Sequence, residues 1–134
     1  RACFMLQKEF AERLVAEPGT RAAGALSVQA ALWAMSSIVF YVPPGSFHPP
    51  PKVDSAVIVM EKRDQPAVDV GDPNAFRKIV RALYAQRRKM ARKALKGLSD
   101  DAQAFLDSCG IDGTRRGETF SLEELGQLSR ALGS

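Results

Sequence analysis

The chain has 134 residues, 46% hydrophobic and 25% charged, with a net charge of +4. That length suits one ordinary domain or two small ones, and the composition is that of a soluble globular protein. No apolar run approaches the roughly 20 residues of a membrane span, no signal-peptide pattern opens the chain, and two cysteines in different halves, Cys3 and Cys109, make neither a disulfide framework nor a metal-type cluster.

A reduced, cytoplasmic setting is therefore expected. The chain begins without Met and inside an apolar run, Ala2 to Leu6, read as a short buried strand. Such a start implies a piece of a longer chain. The strand passes into a helix from Gln7 to Ala16, with Phe10, Leu14 and Val15 at helical spacing and Pro18-Gly19 as the stop. Strand into helix with almost no loop is an α/β habit. A second helix is expected from Leu26 to Met35, with Ser27 as a possible cap and Trp33 as a core or interface anchor.

Ser37 to Val42 and Val53 to Glu61 are rich in Val, Ile, Phe and Tyr and read as strands. Between them, Pro43 to Lys52 holds five of the eight prolines. Proline fixes φ and lacks the N–H a ladder needs, so the strands should pair as an antiparallel hairpin around a stiff loop. The loop carries one aromatic, Phe47, and the chain's single histidine, His48, which has no carboxylate or thiol partner nearby in sequence.

Lys62 to Asp72 is polar and reads as a linker, so residues 1–64 and 73–134 are expected to form separate domains joined by 65–72. Asp72-Pro73 is a cap with a first-turn proline. From Phe76 to Leu98 the apolar spacing is helical, except that Arg87 occupies a stripe position. Two helices meeting near Gln86 are expected. Gly97 ends that run, Ser99-Asp100-Asp101 caps a helix to about Ser108, and Cys109-Gly110 closes it. Ser121-Leu122-Glu123-Glu124 is a capping box for a last helix burying Leu122, Leu125, Leu128 and Leu132. The second half is thus a small all-α domain.

Between Pro73 and Leu98 lie nine basic residues and no acidic one. Arg77, Lys78, Arg81, Arg88, Lys89, Arg92, Lys93 and Lys96 fall off the apolar stripe and form a cationic flank. Solvated helix faces usually mix signs; a single-sign face points to a polyanion, bound with release of counterions. Phe47 is open to two readings at this level, a plug for its own loop or a platform for an extruded base. No nucleophile–base arrangement, metal-ligand spacing or glycine-rich phosphate loop is present.

The chain resembles the later part of the KsgA-type ribosomal RNA adenine dimethyltransferases. The resemblance rests on Phe4-Met5-Leu6-Gln7-Lys8-Glu9, Pro18-Gly19-Thr20, Val42-Pro43-Pro44-Gly45-Ser46-Phe47, Pro49-Pro50-Pro51-Lys52-Val53-Asp54-Ser55, Gln86-Arg87-Arg88-Lys89, and Ser121-Leu122-Glu123-Glu124-Leu125. The Phe-x-Pro-x-Pro-x-Val-x-Ser stretch, Phe47 to Ser55, is shared with erythromycin-resistance methyltransferases.

The resemblance implies the C-terminal portion of a Rossmann-like, S-adenosylmethionine-dependent methyltransferase domain, hairpin included, followed by a helical domain docking small-subunit ribosomal RNA. The whole enzyme would act as a monomer on immature small subunits, dimethylating two adjacent adenosines near the RNA 3′ end. Phe47 would stack on the flipped adenine, while Lys52, Arg81, Arg87, Arg88, Lys89, Arg92, Lys93 and Lys96 would meet RNA. The family's cofactor-binding segments precede Arg1, so no cofactor residue carries over and this piece alone is expected to be inactive. Two other readings stay open: a non-catalytic ribosome-assembly module, and a large-subunit RNA methyltransferase of the erythromycin-resistance type.

Overall fold

The computed structural model describes residues 1–46 and 53–133. β1 (Ala2–Gln7) runs directly into α1 (Lys8–Val15). The turn after it uses Gly19 at φ +89°, a conformation that disfavours any side chain. α2 (Ala25–Trp33) is fixed at its start by Ser27, whose hydroxyl accepts the Gly24 N–H at 2.9 Å and donates to the Arg13 carbonyl at 2.5 Å.

The chain turns extended at Ala34, so β2 spans Ala34–Val42 and begins three residues before the expected strand. The cause is pairing: Ala34 sits opposite Lys62, and the Arg63 N–H reaches the Trp33 carbonyl at 2.9 Å. Ladder bonds outweigh the helix preference of Ala34 and Met35. A 3-10 turn, Pro44–Ser46, follows β2, and β3 spans Ser55–Lys62.

The expected hairpin forms: β2 and β3 are antiparallel, with a bulge between Ile38 and Phe40. β1 also pairs antiparallel with β3, so the sheet order is β1-β3-β2. β1 and β2 therefore run parallel, linked by α1 and α2, with β3 inserted between them. One face of the sheet packs on α1 through Leu6, Ile38, Ala56, Ile58 and Met60 against Ala11 and Leu14. On the other face Phe40, Val57 and Met5 stand in register.

Two positions differ from expectation among the described residues. β1, expected to be buried, is mostly exposed and pairs there only with β3. Trp33, expected as a core or interface anchor, is 41% exposed and anchors no core of these residues. Its place is taken by Val28 and Leu32 on the opposite side of α2, which reach into the helical core.

α3 (Pro73–Ala85) opens with Asp72 accepting the Asn74 N–H at 3.0 Å. It buries Phe76, Ile79, Val80 and Leu83. The helix breaks at Gln86, as expected, and α4 (Ala91–Ala94) is a short separate turn. α5 (Ala102–Ser108) is capped by Asp101, which takes the Ala104 N–H at 3.0 Å. Gly110, at φ +69°, closes it. α6 (Leu122–Gly133) starts on the capping box: Glu124 accepts the Ser121 N–H at 3.0 Å, and Ser121 Oγ accepts the Glu124 N–H at 3.2 Å. Phe76, Leu83, Leu95, Leu106, Phe120, Leu125 and Leu128 form the core of this half.

The polar segment 65–72 is packed, not free. Val70 is 3% exposed in the helical core. The buried Ser129 hydroxyl donates to its carbonyl at 2.5 Å. The Ala67 N–H reaches the Leu32 carbonyl at 2.9 Å.

Candidate nucleic-acid interface

The turn between α3 and α4 is built to project cations. Gln86 leaves the helix, and its carbonyl accepts the Lys89 N–H at 2.9 Å. The following strand-like step is held by the loop before α6. Met90 bridges Arg116, the Ala91 N–H reaches the Arg115 carbonyl at 2.7 Å, and the Arg92 N–H reaches the Gly113 carbonyl at 3.0 Å. With the backbone held on one side, Arg88, Lys89, Arg92, Lys93 and Lys96 face solvent, as do Arg77, Lys78 and Arg81 on α3. None of these eight makes an ion pair with a described residue. An unpaired, exposed row of cations is the electrostatic footprint of a polyanion site.

Arg87 behaves differently. Its Nε donates to Glu118 Oε2 at 2.8 Å, its Nη2 to the Arg21 carbonyl at 2.8 Å, and its guanidinium lies 5.7 Å from the Tyr84 ring centre. Arg87, named among the residues expected to meet RNA, also joins three segments of the fold. Burial beneath this joint pushes the Tyr84 hydroxyl above its ordinary pKa.

Arg115 is likewise structural. It holds both carboxylate oxygens of Glu124, donates to the Thr119 carbonyl at 3.0 Å, and covers the Phe120 ring at 4.6 Å. The bidentate bond holds the Glu124 carboxyl below its usual range and raises the Arg115 pKa. Its neighbour Arg116 is exposed and has no ion pair among the described residues.

The fold also divides the cationic flank. Arg92, Lys93 and Lys96 line a shallow groove of 370 Å³ with Asp100, Asp101 and Gln103. Asp112, held low by the Thr114 hydroxyl and N–H, adds negative charge near Arg92. The single-sign run of the sequence thus meets carboxylates contributed from beyond Leu98. Nearer α1, a larger cleft of 720 Å³ is lined by Gly19, Arg21, Arg87, Arg88, Arg116, Glu118 and Thr119. Arg21 was not singled out from sequence; it lies 66 positions from Arg87, and no local pattern links them.

Phe47, His48 and Lys52 lie outside the described residues. Their described flanks are the 3-10 turn Pro44–Ser46 and Val53. Beside Val53, the Lys8 N–H reaches the Asp54 carbonyl at 2.9 Å, tying the start of α1 to the start of β3. Gln7, Lys8, Glu9, Val53 and Asp54 line a cavity of 220 Å³ there. Among the described residues no group of His, Cys, Asp or Glu could hold a metal ion. Nor is any described helix long and apolar enough to cross a membrane.

Comparison with known proteins gives a consistent result. Residues 1–132 match the family model described as ribosomal RNA adenine dimethylase. The chain is 48% identical over 125 residues to ribosomal RNA small subunit methyltransferase A of Magnetococcus marinus, covering 93% of this chain and 45% of that protein. It spans about half the length of the curated relatives it matches. Among solved structures, a dimethyladenosine transferase from Plasmodium falciparum superposes with a TM-score of 0.72 at 19% identity, over 95% of this chain and 55% of that one. The 23S rRNA methyltransferase ErmE superposes at 0.66 with 22% identity, over 99% and 55%. These two likenesses establish the fold: a partial methyltransferase sheet carrying a helical extension.

Proposed function

This chain belongs to the ribosomal RNA adenine dimethylase family, and on that footing we propose that it is the RNA-docking part of an enzyme that dimethylates adenines of small-subunit ribosomal RNA. In this reading residues 1–64 end the methyltransferase domain, 65–72 connect, and 73–134 dock the RNA of an immature small subunit. The observation that carries it is the exposed, unpaired cation row, Arg81, Arg88, Lys89, Arg92, Lys93 and Lys96, presented by a member of this family. The name shared by the curated relatives favours the small subunit over the large one.

Phe47 and Lys52 keep the roles the motif implies, Phe47 stacking on the extruded adenine and Lys52 meeting the RNA. Adenine nitrogen needs orientation more than a strong base, and a rigid stacking surface supplies orientation.

Methyltransferases of this family use S-adenosylmethionine. The described residues do not fit that donor. The one strand-to-helix junction of the cofactor-binding kind, β1 to α1, reads Gln7-Lys8-Glu9, with no glycine where a cofactor would need close backbone approach.

The test is made on the intact protein. Reversing charge at Arg88, Lys89 and Arg92 should weaken binding to small-subunit RNA and flatten its salt dependence by about 0.7 in log–log slope per lost phosphate contact. Wild-type affinity and slope would rule out the docking face. Phe47→Ala should retain RNA binding and lose methyl transfer; wild-type turnover would remove the stacking role.

A further inference from the structure

The 720 Å³ cleft described above has a composition unlike the open cation row. It draws on three segments far apart in sequence: the turn after α1, the α3–α4 turn, and the loop before α6. Four arginines and one glutamate line it, four positive charges against one negative. Its single carboxylate, Glu118, is already held by Arg87. Arg87 also fixes the Arg21 carbonyl, so the backbone beneath Arg21 is set by the same guanidinium.

The remaining walls are locked as well. Arg116 is positioned by its bridge to Met90. Gly19 lies so close to the loop before α6 that an added Cβ would stand 3.2 Å from the Phe120 carbonyl oxygen. Arg21, Arg88 and Arg116 therefore project from held backbone with exposed side chains that make no ion pair among the described residues. The lining residues include no aromatic side chain and are predominantly polar and cationic.

We infer that Arg21, Arg88 and Arg116 form a phosphate notch, taking one phosphodiester of the RNA backbone, with the Arg87–Glu118 pair as its frame. Guanidinium forks match phosphate oxygens in geometry as well as charge. A site that binds phosphate and no base edge fixes the register of the RNA without reading its sequence. Because Arg21 belongs to the sheet half and Arg116 to the helical half, one phosphate would hold both halves against the RNA. This inference rests on the RNA-docking reading given above and adds to it Arg21, Arg116 and a concave single-phosphate site.

The test uses the intact protein, with Arg21→Gln, Arg116→Gln and both together, and with Arg92→Gln/Lys93→Gln/Lys96→Gln as a set outside the notch. RNA affinity is measured against salt. Each single notch variant should weaken binding about tenfold, and the pair scarcely more than either alone, since both grip one phosphate. Multiplying losses would mean independent contacts on an open face and would overturn the notch. Normal binding by the notch variants, with weakened binding by the outside set, would overturn the notch and leave RNA docking intact. Normal binding by all of them would overturn both.

Inorganic phosphate serves as the free-anion probe. It should displace RNA from the wild type more effectively than from the double variant, and equal displacement would count against the site. Phosphate that binds the cleft while RNA ignores both substitutions would identify a small-anion site and overturn the RNA assignment.

Discussion

In the helical half, α3 and α6 meet through Phe76, Leu83, Leu125 and Leu128, all fully buried. In the sheet half, Met35 is 60% exposed and Phe40 53%, although both belong to a strand with an apolar sequence. The difference lies in the number of layers. A helix bundle buries each stripe against another helix, whereas a sheet has two faces, and among the described residues α1 covers one. The sheet half therefore contributes less burial per apolar residue, and hydrophobic stabilisation follows area removed from water.

Substitutions of similar chemistry should separate the halves. Phe120→Ala, in the helical core and under the Arg115 guanidinium, should cost about 3–4 kcal/mol. Chemical denaturation of the chain would show it; a loss below 1 kcal/mol would mean that this core is looser than its packing.

A smaller effect is expected at the Arg115–Glu124 pair. Glu124 is held below its ordinary value of 4.5, chiefly by the Arg115 hydrogen bond. A lowered carboxyl pKa contributes stability above the unfolded value, which drains away as pH falls through the folded one. Glu124→Gln should cost about 1 kcal/mol at neutral pH, discounted because both side chains are about one-third exposed. The variant should also lose stability less steeply than the wild type below about pH 4.5. Parallel pH curves would show that the pair adds nothing.

The smallest effect belongs to the open sheet face: Phe40→Ser should shift the unfolding free energy of the chain by under about 0.5 kcal/mol. A loss comparable to that of Phe120→Ala would erase the contrast between the halves.

What could be read from sequence was local. The Asp72 cap, the Ser121–Glu124 box, the break at Gln86 and the β2–β3 hairpin each depend on neighbours within a few residues or on one intervening loop. Three things escaped for a common reason. β2 begins at Ala34 because Lys62 pairs with it; Arg87 is drawn inward by Glu118 and the Arg21 carbonyl; and Trp33 is exposed because Val28 and Leu32 fill the core instead. Each is decided by a partner 28 or more positions away or by competition between faces of one helix. Phe47 was legible as a motif, and its assignment still rests on sequence.

The central position of β3 bears on synthesis. β1 touches β3 and never β2, with Ala2 opposite Met60 and Gln7 opposite Ser55. Among the described residues, neither earlier strand meets its β3 partner until the residues near 55–62 have been made. During that interval on the ribosome, the edges of β1 and β2 that β3 will cover lack this partner. Long-range pairing of this kind is slow and prone to aggregation. Proline restricts φ, so the proline-rich stretch between Val42 and Val53 leaves the unfolded chain fewer conformations to search before β3 meets β2.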